Sequence, residues 1–473
     1  MNEVKIKIQI IFILVLNIQL IPQGNKYESA INRSDFIRGV DLSMLQQIEA
    51  NNGIYRENGI EKDALQIFKD HNINFVRLRL WHTPSSAYNN LEKTILMASR
   101  IKSFGFKFLL DFHYSDTWAD PAHQTKPTAW QSLSFQELKD SIYQYSYDVV
   151  NALKNQNTLP EMIQIGNEIT CGILWNDGRV CDQFNTPQQW TQLAELINEG
   201  IRGINESLES GDTIKIMIHI DRGGDNNGSR WFFDHLLSEN VNFDIIGLSY
   251  YPWWQGSLTD LEFNINDLAQ RYNKEIVIAE TAYPWTLDWY DNVQNIVGEP
   301  GQLLPGYPAT VGGQADFLSD LINIVQNIPG NKGAGLFYWA PEWISTPSLG
   351  SPWENVTLFD FSGELLSSIS VFDSISSGVS STDYVDYSYK LFQNYPNPFN
   401  PNTTISFSIP ERSFVTLKLF DLLGNTVSTL INEEKPAGNF KIEFNGDNLP
   451  SGVYFYRMQS GKFSDTQKLI LLK

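Results

Sequence analysis

Eight short apolar runs alternate with longer helix-like segments between residues 36 and 340. Several of these runs are almost continuously apolar, which is typical of parallel strands that are covered on both faces. Helix-like patterns fill the intervals, for example at 61–71, 91–105 and 134–156. The eight predicted strands are FIRGVDLS (36–43), NFVRLRLW (74–81), FKFLLDFHYS (106–115), MIQIGNEI (162–169), IKIMIHID (214–221), FDIIGLSYY (243–251), EIVIAET (275–281) and GAGLFYWA (333–340).

Eight strand-then-helix units in succession predict a (β/α)8 TIM barrel, a fold of the α/β class. An open doubly wound sheet is the alternative. No glycine-rich phosphate loop follows the first strand, however, which argues against the usual nucleotide function of that fold. The barrel also predicts where the chemistry lies, because active sites in such barrels form at the C-terminal ends of the strands.

The two ends of the chain predict further segments. Residues 1–24 place two lysines ahead of an apolar run, which is typical of a secretory signal. A membrane anchor is the alternative, but the uninterrupted run is shorter than the roughly 20 residues of a spanning helix. We expect the barrel at 25–376 and a Ser-rich linker at 377–389. Alternating strands with Gly, Asn and Pro turns at 390–473 predict a small all-β Ig-like sandwich.

Composition and charge narrow the range of partners. The chain has 34 Lys plus Arg against 54 Asp plus Glu, a net charge of -20, which argues against nucleic acid or an anionic membrane surface. Aromatic residues make up 13% of the chain, which fits either a sugar-binding surface or a large aromatic core. The two cysteines, Cys171 and Cys181, either close one loop in an exported protein or remain thiols.

Polar or aromatic residues stand at the end of every predicted strand. One such residue could belong to a structural ion pair, but eight sets at one rim are hard to explain by stability alone. In strand order these residues are Asp41; Arg77, Arg79 and Trp81; Asp111 and His113; Asn167 and Glu168; His219 and Asp221; Tyr250 and Tyr251; Glu280; and Trp339.

Glu168 and Glu280 end the fourth and seventh strands, which places them on opposite sides of a barrel mouth. Two carboxylates across a cleft suit glycoside hydrolysis, in which one protonates the leaving oxygen and the other attacks the anomeric carbon. An Arg from the second strand and a Tyr from the sixth would keep Glu280 ionised as the nucleophile, and its charge would raise the pKa of Glu168, the acid/base. Strict alternation sends Asn167 and Glu168 to opposite faces, so both reach the site only if the strand end departs from regular β geometry.

Longer segments around these residues resemble one enzyme family. They are similar to the endo-β-1,4-galactanases of glycoside hydrolase family 53, part of a clan of retaining (β/α)8 glycosidases. The resemblance implies hydrolysis of β-1,4-linked galactan or type I arabinogalactan, with Glu168 as acid/base, Glu280 as nucleophile, Asn167 and Arg77 beside them, and no required cofactor. The segments that carry it, within residues 36–375, are GVDLSML, FVRLRLWHTP, LLDFHYSDTWADPAHQTKPTAW, IQIGNEITCGILW, KIMIHID, GLSYYPWW, IVIAETAYPW and LFYWAPEWI.

Residues at the strand ends and in the following loops are predicted to contact or support the sugar, because flat rings stack on pyranose rings and polar groups bond hydroxyls. Trp118 and Trp253 have loop anchoring as an alternative role. A clan relative that cuts another β-1,4-glycan (xylanase, mannanase or cellulase) would keep both glutamates, whereas a non-catalytic glycan-binding protein would lack one. The predicted residues are Asp41, Arg77, Arg79, Trp81, His113, Trp118, Asp120, Asn167, His219, Tyr250, Trp253 and Trp339.

The loop TLDWYDNVQNIVG after the seventh strand is a candidate metal site. Bacterial members of the family often hold calcium in this loop, so the resemblance implies a structural calcium ion with Asp291 and Asn295 as candidate oxygen ligands. The tight Asp, Gly and Asn alternation of a calcium loop is missing, which leaves a solvated loop as the alternative.

The C-terminal segment from about residue 391 resembles the sorting domain of the type IX secretion system, since a YPNPF opening, a DLLG turn and a terminal Lys occur in order. An ordinary Ig-like accessory module is the alternative. The resemblance implies export across the inner membrane by the signal and across the outer membrane by this domain, with the enzyme secreted or attached to the cell surface. We expect galactan and the secretion machinery as partners, no stable membrane span after processing, and a monomer.

Overall fold

Eight parallel strands close into a barrel in the computed structural model, which describes residues 35–373, 389–394, 396–409, 413–435, 438–461 and 463–473. Each strand pairs with the next along the chain, and the last pairs with the first. The predicted TIM barrel is therefore confirmed. The barrel strands are β1 (Ile37–Asp41), β2 (Phe75–Leu80), β3 (Lys107–Phe112), β4 (Met162–Ile165), β5 (Lys215–Ile220), β6 (Ile245–Ser249), β7 (Glu275–Thr281) and β8 (Gly333–Trp339).

Helices surround the barrel, and their starts follow from local capping chemistry. The side chain of Ser134 accepts a hydrogen bond from the backbone N–H of Glu137, and the Glu137 carboxylate accepts one from the backbone N–H of Ser134, a capping box that begins the long fourth helix. The side chain of Asn90 caps the third helix in the same role. The helices are α1 (Leu45–Ala50), α2 (Ala64–Asp70), α3 (Leu91–Ser103), α4 (Phe135–Asn155), α5 (Pro187–Ser207), α6 (Asn226–Ser238), α7 (Pro252–Gln255), α8 (Leu258–Tyr272) and α9 (Val311–Gln326).

Side chains of the barrel strands alternate between the inside of the barrel and the helix layer. On β6, for example, Leu248 belongs to the large core between strands and helices, whereas Ile245 belongs to a small cluster inside the barrel. Because both faces are covered, the strands carry the continuous apolar runs that the sequence displays.

The C-terminal residues form two antiparallel sheets with a core of their own. One sheet has the order β9-β10-β13 and the other β12-β11-β14-β15, so the predicted small all-β domain is confirmed. The predicted signal peptide at 1–24 and the linker at 377–389, apart from Tyr389, lie outside the described residues. Among the described residues, no helix is long and apolar enough to cross a membrane. The strands are β9 (Lys390–Leu391), β10 (Asn402–Ile409), β11 (Ser413–Phe420), β12 (Thr426–Lys435), β13 (Gly438–Asn445), β14 (Gly452–Ser460) and β15 (Phe463–Leu471).

A disulfide joins Cys171 to Cys181 in the loop that follows β4. Inside the bridged segment, Gly172–Ile173 pairs with Gly178–Arg179 as a two-stranded antiparallel ribbon. Of the two alternatives for the cysteines, the structure shows the bridge, and the bridge constrains the chain directly after Glu168.

Replacing both cysteines by serine (Cys171→Ser with Cys181→Ser) is expected to lower the free energy of unfolding of the barrel by about 2–3 kcal/mol, because the unfolded chain regains the entropy of the open loop. All 13 tryptophans lie between residues 81 and 353, so tryptophan fluorescence in a urea titration reports on the barrel domain alone. Unchanged stability in the double variant would contradict a stabilising bridge.

Candidate active site

The inward-facing side chains change from apolar at the bottom of the barrel to polar towards its mouth. The bottom cluster consists of Ile37, Phe75, Leu109, Met162, Met217, Ile245, Val277, Ala279 and Phe337. Two residues further along β2, β3, β4 and β5, the inward side chains are Arg77, Asp111, Gln164 and His219, all buried. A polar layer at this depth is stable only when its groups find partners, because unpaired buried polar groups cost free energy.

Arg77 supplies most of those partners and is itself only 1% exposed. Its Nη1 lies 2.8 Å from Asp41 Oδ2 and 2.9 Å from Glu280 Oε1. Its Nη2 lies 2.8 Å from both Asp111 Oδ2 and Asn167 Oδ1. One buried cation therefore faces three carboxyl groups and holds both the seventh-strand glutamate and the asparagine that precedes Glu168.

A β-bulge brings Glu280 into this cluster. Strict alternation after the inward-facing Ala279 would turn Glu280 towards the helix layer. The register between β6 and β7 shifts instead, so that Leu248 lies opposite Ile278 while Ser249 lies opposite Glu280. The extra residue re-aims the side chain, which is a recurring use of bulges beside active sites.

Glu280 contacts Arg77 through Oε1 and accepts a hydrogen bond from Tyr251 Oη at 3.0 Å through Oε2. Burial raises the pKa of Glu280 to about 7; Arg77 opposes this shift, while Asp41 and Asp111 add to it. The Arg and Tyr contacts expected from the sequence are present. Their effect on the pKa is nevertheless smaller than that of burial, so the net shift is upward.

The corner after β4 brings Asn167 and Glu168 to the same side. Gly166 has φ 75°, and Glu168 has φ 48° and ψ 51°, both in the left-handed region. A Cβ on residue 166 would lie 2.5 Å from the side chain of Ile169, so glycine is required there for space as well as for conformation. Asn167 Nδ2 donates to Ala119 O at 2.8 Å, which ties the corner to the loop after β3.

Burial raises the pKa of Glu168 well above its ordinary value, and the negative charges of Glu280 and Asp221 raise it further. Ser249 and Arg77 act in the opposite direction without cancelling these effects. Because Arg77 contacts Glu280 directly and Glu168 only at a distance, the arrangement favours the proton on Glu168 and the negative charge on Glu280.

A cavity of about 310 Å³ opens above the polar layer. Four residues predicted as contacts or supports, namely Trp81, His219, Tyr250 and Trp253, are absent from its lining. The predicted residues that do line it are Asp41, Arg77, Arg79, His113, Trp118, Asp120, Asn167, Glu168, Glu280 and Trp339.

Alternation along the strand explains the absence of Tyr250, and depth in the barrel explains that of His219. Tyr250 points to the helix layer, where it stacks on Phe317 and donates to Gly256 O, whereas Tyr251 faces the cavity. His219 does point inward but lies below the mouth and is fully buried. The number of residues between a side chain and the end of its strand can be counted in the sequence. This number distinguishes a residue that lines the cavity from one that faces the helix layer or lies below the mouth.

Trp81 and Trp253 pack behind the lining. Trp81 donates through Nε1 to His113 Nδ1 at 3.2 Å and meets the edge of Trp118. Trp253 packs against Trp353 with ring centroids 6.2 Å apart. Both rings thus support residues that line the cavity.

Several lining residues were not predicted as contacts from the sequence. Trp339 and Trp353 have ring centroids 4.5 Å apart and form one aromatic wall with Trp343. The segment after β6 supplies Trp254 and the loop after β8 supplies Trp343 and Trp353, and the sequence signal for these three is the density of tryptophans in YYPWW, APEWI and SPWEN. The unpredicted residues of the lining are Ala119, Tyr251, Trp254, Trp343, Pro352 and Trp353.

The loop after β7 is tied to the loop after β8 through Asp291. Its Oδ1 accepts from Val293 N at 2.5 Å, and its Oδ2 accepts from Ser351 N at 2.8 Å. Ser345 Oγ lies 2.5 Å from Asp291 Oδ2 and 2.7 Å from Glu354 Oε2. Asn295 is buried, and its Oδ1 has no hydrogen-bond partner among the residues that the structure describes. Among the described residues, no group of three or more His, Cys, Asp or Glu side chains is arranged to hold a metal ion.

Comparison with known proteins gives consistent matches over the barrel. Residues 37–372 match the family model described as glycosyl hydrolase family 53, and residues 393–472 match that of a secretion system C-terminal sorting domain. An uncharacterized protein from Niallia circulans is 50% identical over 342 residues, covering 71% of this chain and 93% of the relative.

Two further relatives carry names that describe their activity or family. The arabinogalactan endo-β-1,4-galactanase of Cellvibrio japonicus is 36% identical over 338 residues, covering 70% of this chain and 88% of that protein. The solved GH53 catalytic domain from Ignisphaera aggregans aligns with a TM-score of 0.67 at 39% identity, covering 72% of this chain and 96% of the domain.

Replacing Arg77 by methionine is expected to lower the free energy of unfolding by about 3–5 kcal/mol, because three buried carboxyl groups lose their shared cation. The matched control is Arg100→Met, which removes an arginine that also contacts two carboxylates, Glu49 and Asp63, but in a half-exposed position. Exposed ion pairs contribute about 0–1 kcal/mol, so the control is expected to lose far less. Urea titration followed by tryptophan fluorescence measures the free energy of unfolding of both variants. Equal losses of this free energy in the two variants would contradict a central role for Arg77.

Proposed function

The chain belongs to glycosyl hydrolase family 53, and from this membership we propose that it is an exported endo-β-1,4-galactanase that cleaves galactan or type I arabinogalactan with retention of anomeric configuration. The observation that carries the proposal is the pair Glu168 and Glu280, which line one cavity in unequal environments, since Arg77 and Tyr251 contact Glu280 whereas Ser249 contacts Glu168. Two carboxyl groups with separated pKa values are what acid-assisted glycoside cleavage requires.

In the first step, a carboxylate oxygen of Glu280 attacks the anomeric carbon while Glu168 gives its proton to the departing glycosidic oxygen. The bond from the anomeric carbon to that oxygen breaks as the bond to Glu280 forms, which leaves a glycosyl-enzyme ester. Tyr251 and Arg77 hold the Glu280 carboxylate through separate oxygens. Their contacts fix the orientation of the nucleophile before substrate binds.

In the second step, Glu168 is a carboxylate and removes a proton from water as the water oxygen attacks the same anomeric carbon. The ester bond breaks, Glu280 leaves as a carboxylate, and Glu168 regains its proton. The raised pKa of Glu168 matches both duties, because a carboxyl group that holds its proton more strongly than usual can donate it in the first step and regain it in the second.

The cavity walls suit a neutral sugar polymer. Trp118, Trp339 and Trp353 offer flat apolar surface for the faces of pyranose rings. Asp41, Asp120 and His113 stand among them with polar groups for sugar hydroxyls. Four residues predicted as sugar contacts do not line the cavity. We propose that they support the site indirectly, through the residues that they pack against or hydrogen-bond. They are Trp81, His219, Tyr250 and Trp253.

The C-terminal domain indicates that the enzyme is exported. Because residues 393–472 match a secretion system sorting domain, the enzyme is exported to the cell surface or beyond it. Within this proposal, residues 1–24 are the signal peptide, 25–376 the catalytic barrel, 377–389 the linker and 390–473 the sorting domain. The mature enzyme acts as a monomer.

A structural calcium ion between the loops after β7 and β8 is part of the proposal. Ser345 has a single hydroxyl proton but lies within hydrogen-bond distance of two carboxylates, so only one of those contacts can be donated by the serine. Ser345 brings together oxygens of Asp291 and Glu354, and Asn295 in the same loop as Asp291 carries an Oδ1 without a partner among the described residues, so these residues supply oxygen ligands of the kind that calcium prefers. These residues would hold the ion, which would cross-link the loops and take no part in the reaction.

The proposed activity is tested with the purified barrel domain on galactan beside xylan, mannan and carboxymethylcellulose. Reducing ends are expected from galactan alone, and Glu280→Gln and Glu168→Ala are each expected to lower turnover by at least about 100-fold. Proton NMR of the first product is expected to show the β-anomer before mutarotation. Reducing ends released from another polymer would change the proposed substrate but leave the proposed mechanism in place. No release of reducing ends from any polymer would overturn the proposal.

The calcium proposal is tested by thermal unfolding with and without a chelator. Addition of EDTA is expected to lower the Tm of the barrel, and millimolar calcium is expected to restore it, because an ion that binds only the folded state stabilises it. In the variant Asp291→Asn, the chelator is expected to have little further effect. An identical Tm with and without EDTA in the parent enzyme would reject the ion.

A further inference from the structure

Ser249 and His219 form a hydrogen-bonded pair directly behind Glu168. Both residues are fully buried and lie outside the cavity lining. Ser249 Oγ lies 2.6 Å from Glu168 Oε1 and 2.9 Å from His219 Nε2. The mechanism above uses neither residue, yet one of them contacts an oxygen of the proposed acid/base.

The directions of the hydrogen bonds around His219 follow from its other partners. His219 Nδ1 lies 3.0 Å from Asn167 Oδ1, but that oxygen also lies 2.8 Å from Arg77 Nη2 and 3.0 Å from Gln164 Nε2, and these two donors use both of its lone pairs. Gln164 Oε1 accepts from Arg77 Nε at 3.3 Å, which orients the amide with Nε2 towards His219 Nδ1, 3.0 Å away. Gln164 Nε2 also lies 3.0 Å from Gly166 O, and we assign its two protons to Asn167 Oδ1 and His219 Nδ1, which makes Nδ1 a hydrogen-bond acceptor.

Burial holds the pKa of His219 well below its ordinary value, so the ring is neutral and carries one N–H. With Nδ1 accepting, that N–H is on Nε2 and donates to Ser249 Oγ. The serine hydroxyl then has one proton left to give, and its remaining partner is Glu168 Oε1. A series of hydrogen bonds, each with a defined donor and acceptor, thus runs from Arg77 through Gln164, His219 and Ser249 to Glu168.

We propose that Ser249, oriented by His219, is a positioning residue that keeps Glu168 Oε1 a permanent hydrogen-bond acceptor, so that the catalytic proton resides on Oε2. Oε1 is turned towards a buried serine, which leaves Oε2 as the oxygen that faces the cavity and the leaving group. Without the serine, a proton on Oε1 would point away from the glycosidic oxygen, and the acid would be partly misdirected. The inference deepens the proposed function and rests on Glu168 being the acid/base.

The first test compares leaving groups in Ser249→Ala. The value of kcat/KM reports bond cleavage, which needs a proton only when the leaving group is a poor one. For phenyl β-galactobioside and galactan we expect kcat/KM to fall by at least about 10-fold. For dinitrophenyl β-galactobioside we expect kcat/KM to fall by less than about 3-fold, because dinitrophenolate leaves without a proton. Equal losses on both aryl substrates, or no loss on either, would overturn the proposal.

Matched variants separate positioning from packing. Ser146→Ala removes another fully buried hydroxyl, which pairs with Tyr114 on the outer side of the barrel, and is expected to leave the ratio of the two aryl substrates unchanged. Ser249→Thr keeps the hydroxyl and is expected to restore most of that ratio. An altered ratio in Ser146→Ala would indicate a general effect of lost packing.

The second test does not depend on substrate. The groups that act on Glu168 are Glu280 and Asp221, which raise its pKa, and Ser249 and Arg77, which lower it. Removing the serine deletes a hydrogen bond that favours the carboxylate, so the titration midpoint of Glu168 is expected to move to higher pH in carbon-13 NMR. The alkaline limb of kcat/KM on galactan is expected to move the same way, and an unchanged or lower midpoint would overturn the proposal.

The two tests keep the proposals distinguishable. If the parent enzyme cleaves a different aryl glycoside, such as a xylobioside, the substrate assignment fails and the leaving-group comparison is made on that glycoside. If the parent cleaves none, the NMR titration still decides whether Ser249 acts on Glu168.

Discussion

The buried guanidinium of Arg77 is the interaction on which the rest of the site depends. It bonds Asp41, Asp111, Glu280 and Asn167 inside a barrel whose lower half is apolar. Desolvating such a cluster is costly, and an apolar layer of similar volume would serve stability as well or better. The cluster is therefore explained by what it positions rather than by what it adds to the free energy of folding.

What it positions is an asymmetric pair of carboxyl groups. Glu280 receives the cation directly, whereas Glu168 receives only a hydrogen bond from Ser249 and lies near further negative charge. Burial raises the pKa of both groups, and the unequal access to Arg77 separates them. The same arginine also orients Gln164, and through it the imidazole behind Glu168, so one cation influences the protonation of both residues.

Periodicity was sufficient to predict the barrel, because covered parallel strands leave continuous apolar runs and the polar residues accumulate where those runs end. The same periodicity, applied one residue at a time, also separates Tyr251 from Tyr250. It does not predict the glutamates' orientation, since Glu280 depends on a bulge in β7 and Glu168 on a left-handed corner. Nor does it predict Trp343 or Trp353, which reach the cavity from a long loop whose path is set by tertiary contacts. Ser249 looked like an ordinary strand residue because nothing local reveals its partner 81 positions earlier in the chain.

The two departures from regular β geometry have a common reason. Regular alternation would place an inward-facing side chain at every second residue, which suits a packed interior. It would also fix the position of each catalytic side chain along the barrel axis by the spacing of the strand residues. The bulge at Glu280 and the corner at Glu168 break that spacing at the mouth, where no further layer has to be packed above them. Each departure is then secured from below, Glu280 by Arg77 and the corner by Asn167, whose amide joins Arg77 to the backbone of Ala119. Irregular backbone at the rim and a rigid polar layer beneath it are thus two parts of one arrangement, because neither would hold the carboxyl groups in place without the other.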